Sequence, residues 1–470
     1  MFRNVHWTQR NEESRNLIGP PTRYGTPYLL SKVCAMVQGV AIEDGCIVNR
    51  NPATGEIISR VPCSTEEEID AIVANAKEAL LPWSETPPEE RVRLLREGLK
   101  EIIEQRDVLA ELMVKEMGKT KAEALEEMEG TTSYEPDYMD LLVKAQQPKE
   151  HDSCVVFREP IGVVAIMSPW NFPVDEILLL ALPALGGGNT VIVKPSEVAP
   201  ECGALTVQAL QKVLPPNVIQ LAQGDGSVGK KLVSHLSVDM VAMTGSSATG
   251  KKILTAAASS LKRVVLELGG KDPMVVFADA DLDKAAKDAV QYSVYNAGQV
   301  CCSIERLYVE ESVMDEFEAK CTEHAKTFRV GNGLEEGVTM GPMVSLMQRD
   351  HVASQVESAV KDGAKLLFQS DVPDDAPEGT SFYPVTVLSG VTQDMDIARQ
   401  ETFGPVVTLI PFDGSETEAI RLANDSEYGL CGSVYTADLA KGKRVAGRIE
   451  TGQVGVNCYA IDNMHIACPW

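Results

Sequence analysis

Two adjacent thiols, Cys301 and Cys302, follow the segment Asn296-Ala297-Gly298-Gln299-Val300 and precede an apolar run at Leu307. A thiol near backbone N–H groups can lose its proton readily and act as a nucleophile. The alternative is a small, inert, buried residue, the commoner state of cysteine. Upstream, Val264-Val265-Leu266-Glu267-Leu268-Gly269-Gly270-Lys271 sets a carboxylate among apolar residues at the end of a strand-like run. Burial raises a carboxyl pKa and makes the group a usable general base. Pairing with Lys271, or projection into solvent, would serve structure instead. Ser168-Pro169-Trp170-Asn171-Phe172-Pro173 holds an asparagine between two aromatics in a loop fixed by two prolines. A rigid side-chain amide suits an oxyanion hole, although Asn and Pro also build ordinary turns.

Two further stretches suit a dinucleotide. Lys194-Pro195-Ser196-Glu197 follows the apolar run Thr190 to Val193. A carboxylate just past a strand can hold ribose hydroxyls. Thr244-Gly245-Ser246-Ser247-Ala248-Thr249-Gly250 also follows a strand-like run and opens a helical pattern. Small residues there let a pyrophosphate approach a helix N-terminus. Neither the GxGxxG fingerprint nor the Walker Lys-Ser/Thr ending is present. Each stretch alone reads equally as a strand–helix connection.

The elements that must position these residues are α/β in pattern. Cys46 to Cys63 reads as two short strands around the turn Asn51-Pro52-Ala53-Thr54-Gly55. Helical runs follow: one opening at Ser64 and reaching Leu80, with Ser64 and Glu67 as a capping box; one after Pro88; then Asp107 to Met117 and Lys119 to Glu129. From Val155 onward, short β-branched runs alternate with helical segments. These runs are Ile161 to Met167, Thr190 to Val193, Val218 to Leu221, Met240 to Met243 and Val264 to Leu268. A second set comprises Met274 to Phe277, Leu307 to Val309, Ala364 to Phe368, Val406 to Pro411 and Ser433 to Thr436. Continuous apolar strands with room for crossover helices imply parallel, helix-covered sheets. Asp371 to Gly379 reads as an exposed loop.

Bulk properties narrow the class. The chain has 470 residues, 44% hydrophobic and 24% charged, which suits a multidomain globular protein. Lys plus Arg is 43 against 68 Asp plus Glu, a net charge of −25. That balance disfavours nucleic acid and anionic membranes as partners. The 11 cysteines are scattered, without CxxC, HExxH or other zinc spacing, so no metal is expected. No apolar stretch has the length of a membrane span; Ile177 to Gly188 carries Pro183 and reads as core. Residues 1–44 read as an unstructured arm, with a short organelle-targeting segment as the alternative to a cytoplasmic chain.

Taken together and in order, these segments resemble the NAD(P)-dependent aldehyde dehydrogenases from about Val48 to Ile466. The blocks are PWNFP at Pro169, GNTVIVKPSE at Gly188, TGSSATGKK at Thr244, LELGGKDPMVVFADADLD at Leu266, GQVCCSIERLYV at Gly298, GPMV at Gly341 and ETFGPVV at Glu401. The resemblance implies two parallel-sheet α/β domains, one Rossmann-like, with a small oligomerisation element. It implies an NAD(P)-binding domain at 45–132 and 157–265, bridging strands at 133–156, a catalytic domain at 266–450 and a return segment at 451–470. It implies Cys301 as nucleophile with Cys302 auxiliary or packed, Glu267 as general base and Asn171 as oxyanion donor. Lys194 and Glu197 would bind the adenosine ribose, and Gly245 with Ser246 would lie near the pyrophosphate. Glu401 and Phe403 would position the nicotinamide ribose and ring, and Trp170 would line the passage. Glu197 favours NAD, since a carboxylate repels a 2′-phosphate; Lys194 keeps NADP open. The implied partners are a small aldehyde and further copies of the chain, as homodimer or homotetramer.

Two departures stand out. Many members carry a lysine at the position of Leu180. Relatives also continue past the point where this chain stops, Pro469-Trp470, which implies a truncated C-terminus. Two other readings follow: a non-catalytic truncated or dinucleotide-binding relative, and a CoA-acylating enzyme, the latter disfavoured by Glu267.

Overall fold

The computed structural model describes residues 40–134 and 136–461. Most of the expected arm, and the chain end at Pro469-Trp470, lie outside them. Strand pairing begins at Ile42, which stands opposite Ile47, so the last residues of the expected arm belong to the first small sheet. Its hairpin joins Cys46–Arg50 and Ile57–Pro62 as expected.

A five-stranded parallel sheet carries the first set of apolar runs. Its order is Arg263–Leu268, Met240–Gly245, Val163–Met167, Thr190–Lys194, Ile219–Leu221. Val163–Met167 and Thr190–Lys194 are buried at every position, which is why they read as continuous apolar runs rather than alternating ones. The strand first in sequence lies in the middle, so the order reverses there. In such sheets ligands collect beyond the carboxyl ends of the strands at the reversal. Asn171, Glu197, Ser246 and Gly269 all follow the carboxyl ends of these strands.

The second sheet has seven strands in the order Lys365–Gln369, Thr386–Ser389, Val406–Phe412, Ile304–Glu310, Asp272–Val276, Cys431–Tyr435, Gln453–Val456. All are parallel except the edge strand Lys365–Gln369. Thr386–Ser389 and Gln453–Val456 had no place in the sequence reading. Each is four residues long, too short to show a period. Gly270, Cys301 and Phe403 lie just before the amino ends of Asp272–Val276, Ile304–Glu310 and Val406–Phe412. The first sheet thus contributes residues from strand ends and the second from strand beginnings.

Three helix starts differ from expectation, one of them that of Arg106–Met117, which begins one residue before Asp107. The first long helix is Glu66–Glu85, capped by Thr65 with Glu68 in a reciprocal box, one residue later than the Ser64–Glu67 pair. Both pairs have the same spacing; Ser64 instead accepts the N–H of Gln223, so its hydroxyl serves the neighbouring loop. The helix reading from Lys119 begins at Lys121, because Thr120 caps it through Glu123. Among the described residues no helix is long and apolar enough to cross a membrane.

The apolar segment after Asn171 is the helix Asp175–Gly186, which has no side-chain cap of its own. Glu127 replaces one: its Oε1 accepts the N–H groups of Val174 at 2.9 Å and Asp175 at 3.2 Å. Its other oxygen pairs with Lys119, both side chains fully buried. One carboxylate therefore satisfies two orphan helix donors and a buried ammonium. Glu127→Ala is expected to destabilise the chain by about 3–5 kcal/mol, because it strands the Lys119 charge. The urea midpoint measures this, and a loss under about 1 kcal/mol would contradict the role.

Candidate active site

The loop leading into Cys301 is held in a costly backbone conformation. Asn296, Ala297 and Gly298 have φ of 53°, 56° and 70° in succession. Two non-glycine residues in the left-handed region need the surroundings to hold them there. Glu123 Oε1 accepts the Asn296 N–H at 2.8 Å, and Gln299 Oε1 accepts the Val344 N–H at 2.9 Å. Gly298 is required by contact as well as φ: a Cβ there would lie 2.1 Å from the Gly404 carbonyl oxygen.

That loop is tied to Asn171. The Asn171 side-chain amide donates to the Gln299 carbonyl at 3.1 Å, and the Asn296 amide donates to the carbonyls of Asn171 and Gln299, both at 3.2 Å. Asn171 spends one of its two N–H donors on this and has one more to give. It is buried and immobilised, as the two flanking prolines suggested.

Cys301 is half-buried, whereas Cys302 is buried in the second core, where its carbonyl accepts the Tyr459 hydroxyl at 2.8 Å. The Cys301 thiol is held well above its ordinary pKa by its hydrogen bond to Cys302 and by burial. The charges of Glu176 and Asp272 add to the rise. These effects favour the neutral thiol at Cys301.

Glu267 is half-exposed and pairs in register with Thr244 on the neighbouring strand. The ammonium of Lys271 goes to Glu305 and to Thr402 Oγ1. The two glycines after Leu268 have steric reasons. A Cβ on Gly269 would meet Glu401 Oε1 at 2.3 Å, and one on Gly270 would meet the Cys301 carbonyl oxygen at 2.3 Å. The Glu267 turn thus lies directly against both the Cys301 peptide and Glu401.

Glu401 Oε1 accepts the Gly270 N–H at 3.1 Å. Burial, and then the charge of Glu305, push its carboxyl up to about 8. Phe403, with φ of 51°, has its N–H on Glu305 Oε1 at 2.9 Å, and the Thr402 N–H reaches Glu305 Oε2 at 2.8 Å. Trp170 packs edge-on against Phe403 with centroids 5.5 Å apart. Trp170 is only 6% exposed.

Lys194 and Glu197 sit at the carboxyl end of Thr190–Lys194, and Gly245 and Ser246 at that of Met240–Gly245, with Val163–Met167 between the two strands. The Lys194 ammonium donates to the carbonyls of Pro195 at 2.7 Å and Gly224 at 2.6 Å, and pairs with Glu197 at 3.2 Å. Ser246 caps the helix Ser247–Ala258, accepting the Thr249 N–H, and the first turn of that helix carries no acid. A bare glycine, an uncharged helix start and a fixed Lys–Glu pair fit the pyrophosphate and ribose of a dinucleotide.

The sequence reading missed Glu305 and Asn296, which position the site, and left Glu176 without a role. Glu305 has Arg306 beside it and Glu176 has Asp175, so neither stands among apolar residues on both sides as Glu267 does.

Against known proteins, the aldehyde dehydrogenase family model matches residues 40–470. The chloroplastic aminoaldehyde dehydrogenase of Arabidopsis thaliana is 38% identical over 423 residues, covering 87% of this chain and 84% of that protein. A solved betaine aldehyde dehydrogenase from Staphylococcus aureus, in complex with NAD+, superposes with a TM-score of 0.86 at 33% identity, covering 91% and 86% of the two chains. Lactaldehyde dehydrogenase from Escherichia coli gives 0.85 at 35% identity, covering 90% and 89%. The chain belongs to the aldehyde dehydrogenase family. It is an oxidoreductase acting on aldehydes, with NAD(P) as cofactor.

Gly270→Ala is expected to cut kcat/KM for aldehyde oxidation on the order of 100-fold, by displacing the Cys301 peptide from its working position. NADH formation measures this. Activity within about twofold of the parent would contradict the close approach.

Proposed function

We propose that this chain converts an aldehyde to a carboxylic acid through covalent intermediates on Cys301. The supporting observation is the contact between three motifs: the glycine turn after Glu267 lies against the Cys301 peptide, and Asn171 is hydrogen-bonded two residues before it. In this reading Cys301, once deprotonated, attacks the aldehyde carbonyl. The spare N–H of Asn171 and the Cys301 N–H receive the oxyanion, and a thiohemiacetal forms. Bound NAD(P), held by the residues named below, would supply the acceptor for the hydride that leaves the substrate carbon. Cys301 then carries a thioester, and Glu267 takes a proton from the water that hydrolyses it.

Around these groups, Lys194 and Glu197 would hold the adenosine ribose, Gly245 and Ser246 the pyrophosphate, and Glu401 the nicotinamide ribose. Phe403, backed by Trp170, would set the ring's position. The Glu197 carboxylate favours NAD over NADP. The relatives' names direct the substrate search to amino, betaine and lactaldehydes.

Further copies of the chain are the other proposed partner. The hairpin Lys149–His151 and Cys154–Val156 is exposed throughout, and the neighbouring Phe157 is 64% exposed. An apolar exposed strand of this kind suits pairing between copies.

NADH formation with propanal, 3-aminopropanal, betaine aldehyde and lactaldehyde tests the reading. Cys301→Ala is expected to abolish turnover while NAD+ still binds by calorimetry. Glu267→Gln is expected to release one equivalent of NADH and then stall, with the acyl-enzyme visible by intact mass. Full turnover by Cys301→Ala together with loss in Cys302→Ala would place the nucleophile one residue later. NAD+ binding without turnover in the unaltered chain would favour the non-catalytic reading.

A further inference from the structure

Glu176 is an acid that the mechanism above does not use. It stands at the second position of the helix Asp175–Gly186, followed by the apolar run Ile177 to Ala184. It is partly buried, as Glu267 and Cys301 are. Its Oε2 accepts the Thr244 hydroxyl at 2.9 Å. Thr244 is the register partner of Glu267 across two parallel strands. Such partners point to the same face of the sheet, roughly 4.8 Å apart. The Thr244 hydroxyl therefore stands beside Glu267 while donating to Glu176. A hydroxyl can accept one hydrogen bond as it gives another.

The groups facing Glu176 come from several elements. Asp175 is on its own helix, Glu267 on the strand Arg263–Leu268, Cys301 and Cys302 on the nucleophile loop, and Tyr134 on the turn Thr131–Tyr134. Glu127 and Lys119 stand by Asp175. Burial raises the Glu176 carboxyl against the Thr244 hydrogen bond. Asp175, Glu267 and Cys302 add to the rise, bringing it to about 8.

We propose that Glu176 relays protons for thioester hydrolysis, taking through the Thr244 hydroxyl the proton that Glu267 removes from water and releasing it to solvent. The proposal rests on the reading of Cys301 and Glu267 given above. In the hydrolysis, the water oxygen bonds to the thioester carbon, the C–S bond breaks, and its electron pair stays on the Cys301 sulfur. One water proton goes to Glu267. Glu267 passes a proton to Thr244 Oγ1 as Thr244 passes its own to Glu176, which restores Glu267 as a carboxylate. No oxidant enters this step. Glu176 accepts a proton only when ionised, so the relay runs above pH of about 8 and fades below it.

The test uses 4-nitrophenyl acetate, an ester that acylates a reactive thiol without cofactor. The nitrophenolate burst reads acylation and the steady phase reads hydrolysis, on both sides of pH 8. Glu176→Gln and Thr244→Val are expected to keep the burst and slow the steady phase on the order of tenfold or more. They are expected to lose the rise near pH 8 and accumulate acetyl-enzyme by intact mass. Glu176→Asp is expected to restore the rise. A steady phase and pH profile of Glu176→Gln that overlay the parent would overturn the relay. So would loss of the burst in Glu176→Gln, which marks a structural role. Absence of a burst in the parent itself would instead overturn the reading of Cys301, and the relay with it.

Discussion

One buried carboxylate holds the site's loops in register. Glu305 accepts the N–H groups of Thr402 and Phe403 and pairs with the buried ammonium of Lys271. It thereby joins the segment after Glu267, the strand after Cys301 and the loop carrying Glu401 and Phe403. A charge in such a place is tolerated only when its lone pairs are filled with good geometry. Here three donors fill them, and Phe403 is kept at a φ it would not otherwise adopt. With those loops fixed, the close approaches at Gly269, Gly270 and Gly298 follow.

The two sheets explain why so much chemistry gathers in one place. The first offers loops from the carboxyl ends of its strands and the second from the amino ends. A residue on either sheet needs only a short loop to reach the Cys301 segment. The supports lie outside the sheets' own ladders: Glu123 holds Asn296, and Glu127 holds the start of the helix after Asn171. Both come from the helix Lys121–Gly130. One helix face thus positions the Cys301 loop and the start of the helix after Asn171 together.

Acids crowd this region. Glu176 and Glu401 are each pushed up to about 8, and Asp175 to about 6, chiefly by burial. The hydrogen bond to Cys302, and then burial, oppose formation of the Cys301 thiolate. The same crowding leaves several carboxyls able to exchange protons near neutral pH.

The sequence alone determined the strands buried on both faces, since a sheet covered by helices on each side demands unbroken apolar runs. It also marked Cys301, Glu267, Asn171 and Glu197, because an acid, amide or thiol beside glycine or proline is locally conspicuous. What remained hidden depended on distance in sequence. Glu305 answers Thr402 and Phe403 nearly a hundred residues away, and no local pattern contains that partnership. The two glycines after Leu268 were visible, but the Cys301 carbonyl and the Glu401 carboxylate that require them were not. Glu176 showed only as an acid before an apolar helix. Its nearness to Glu267 was decided by which strands pair, a choice made by the packed sheet and not by any one segment.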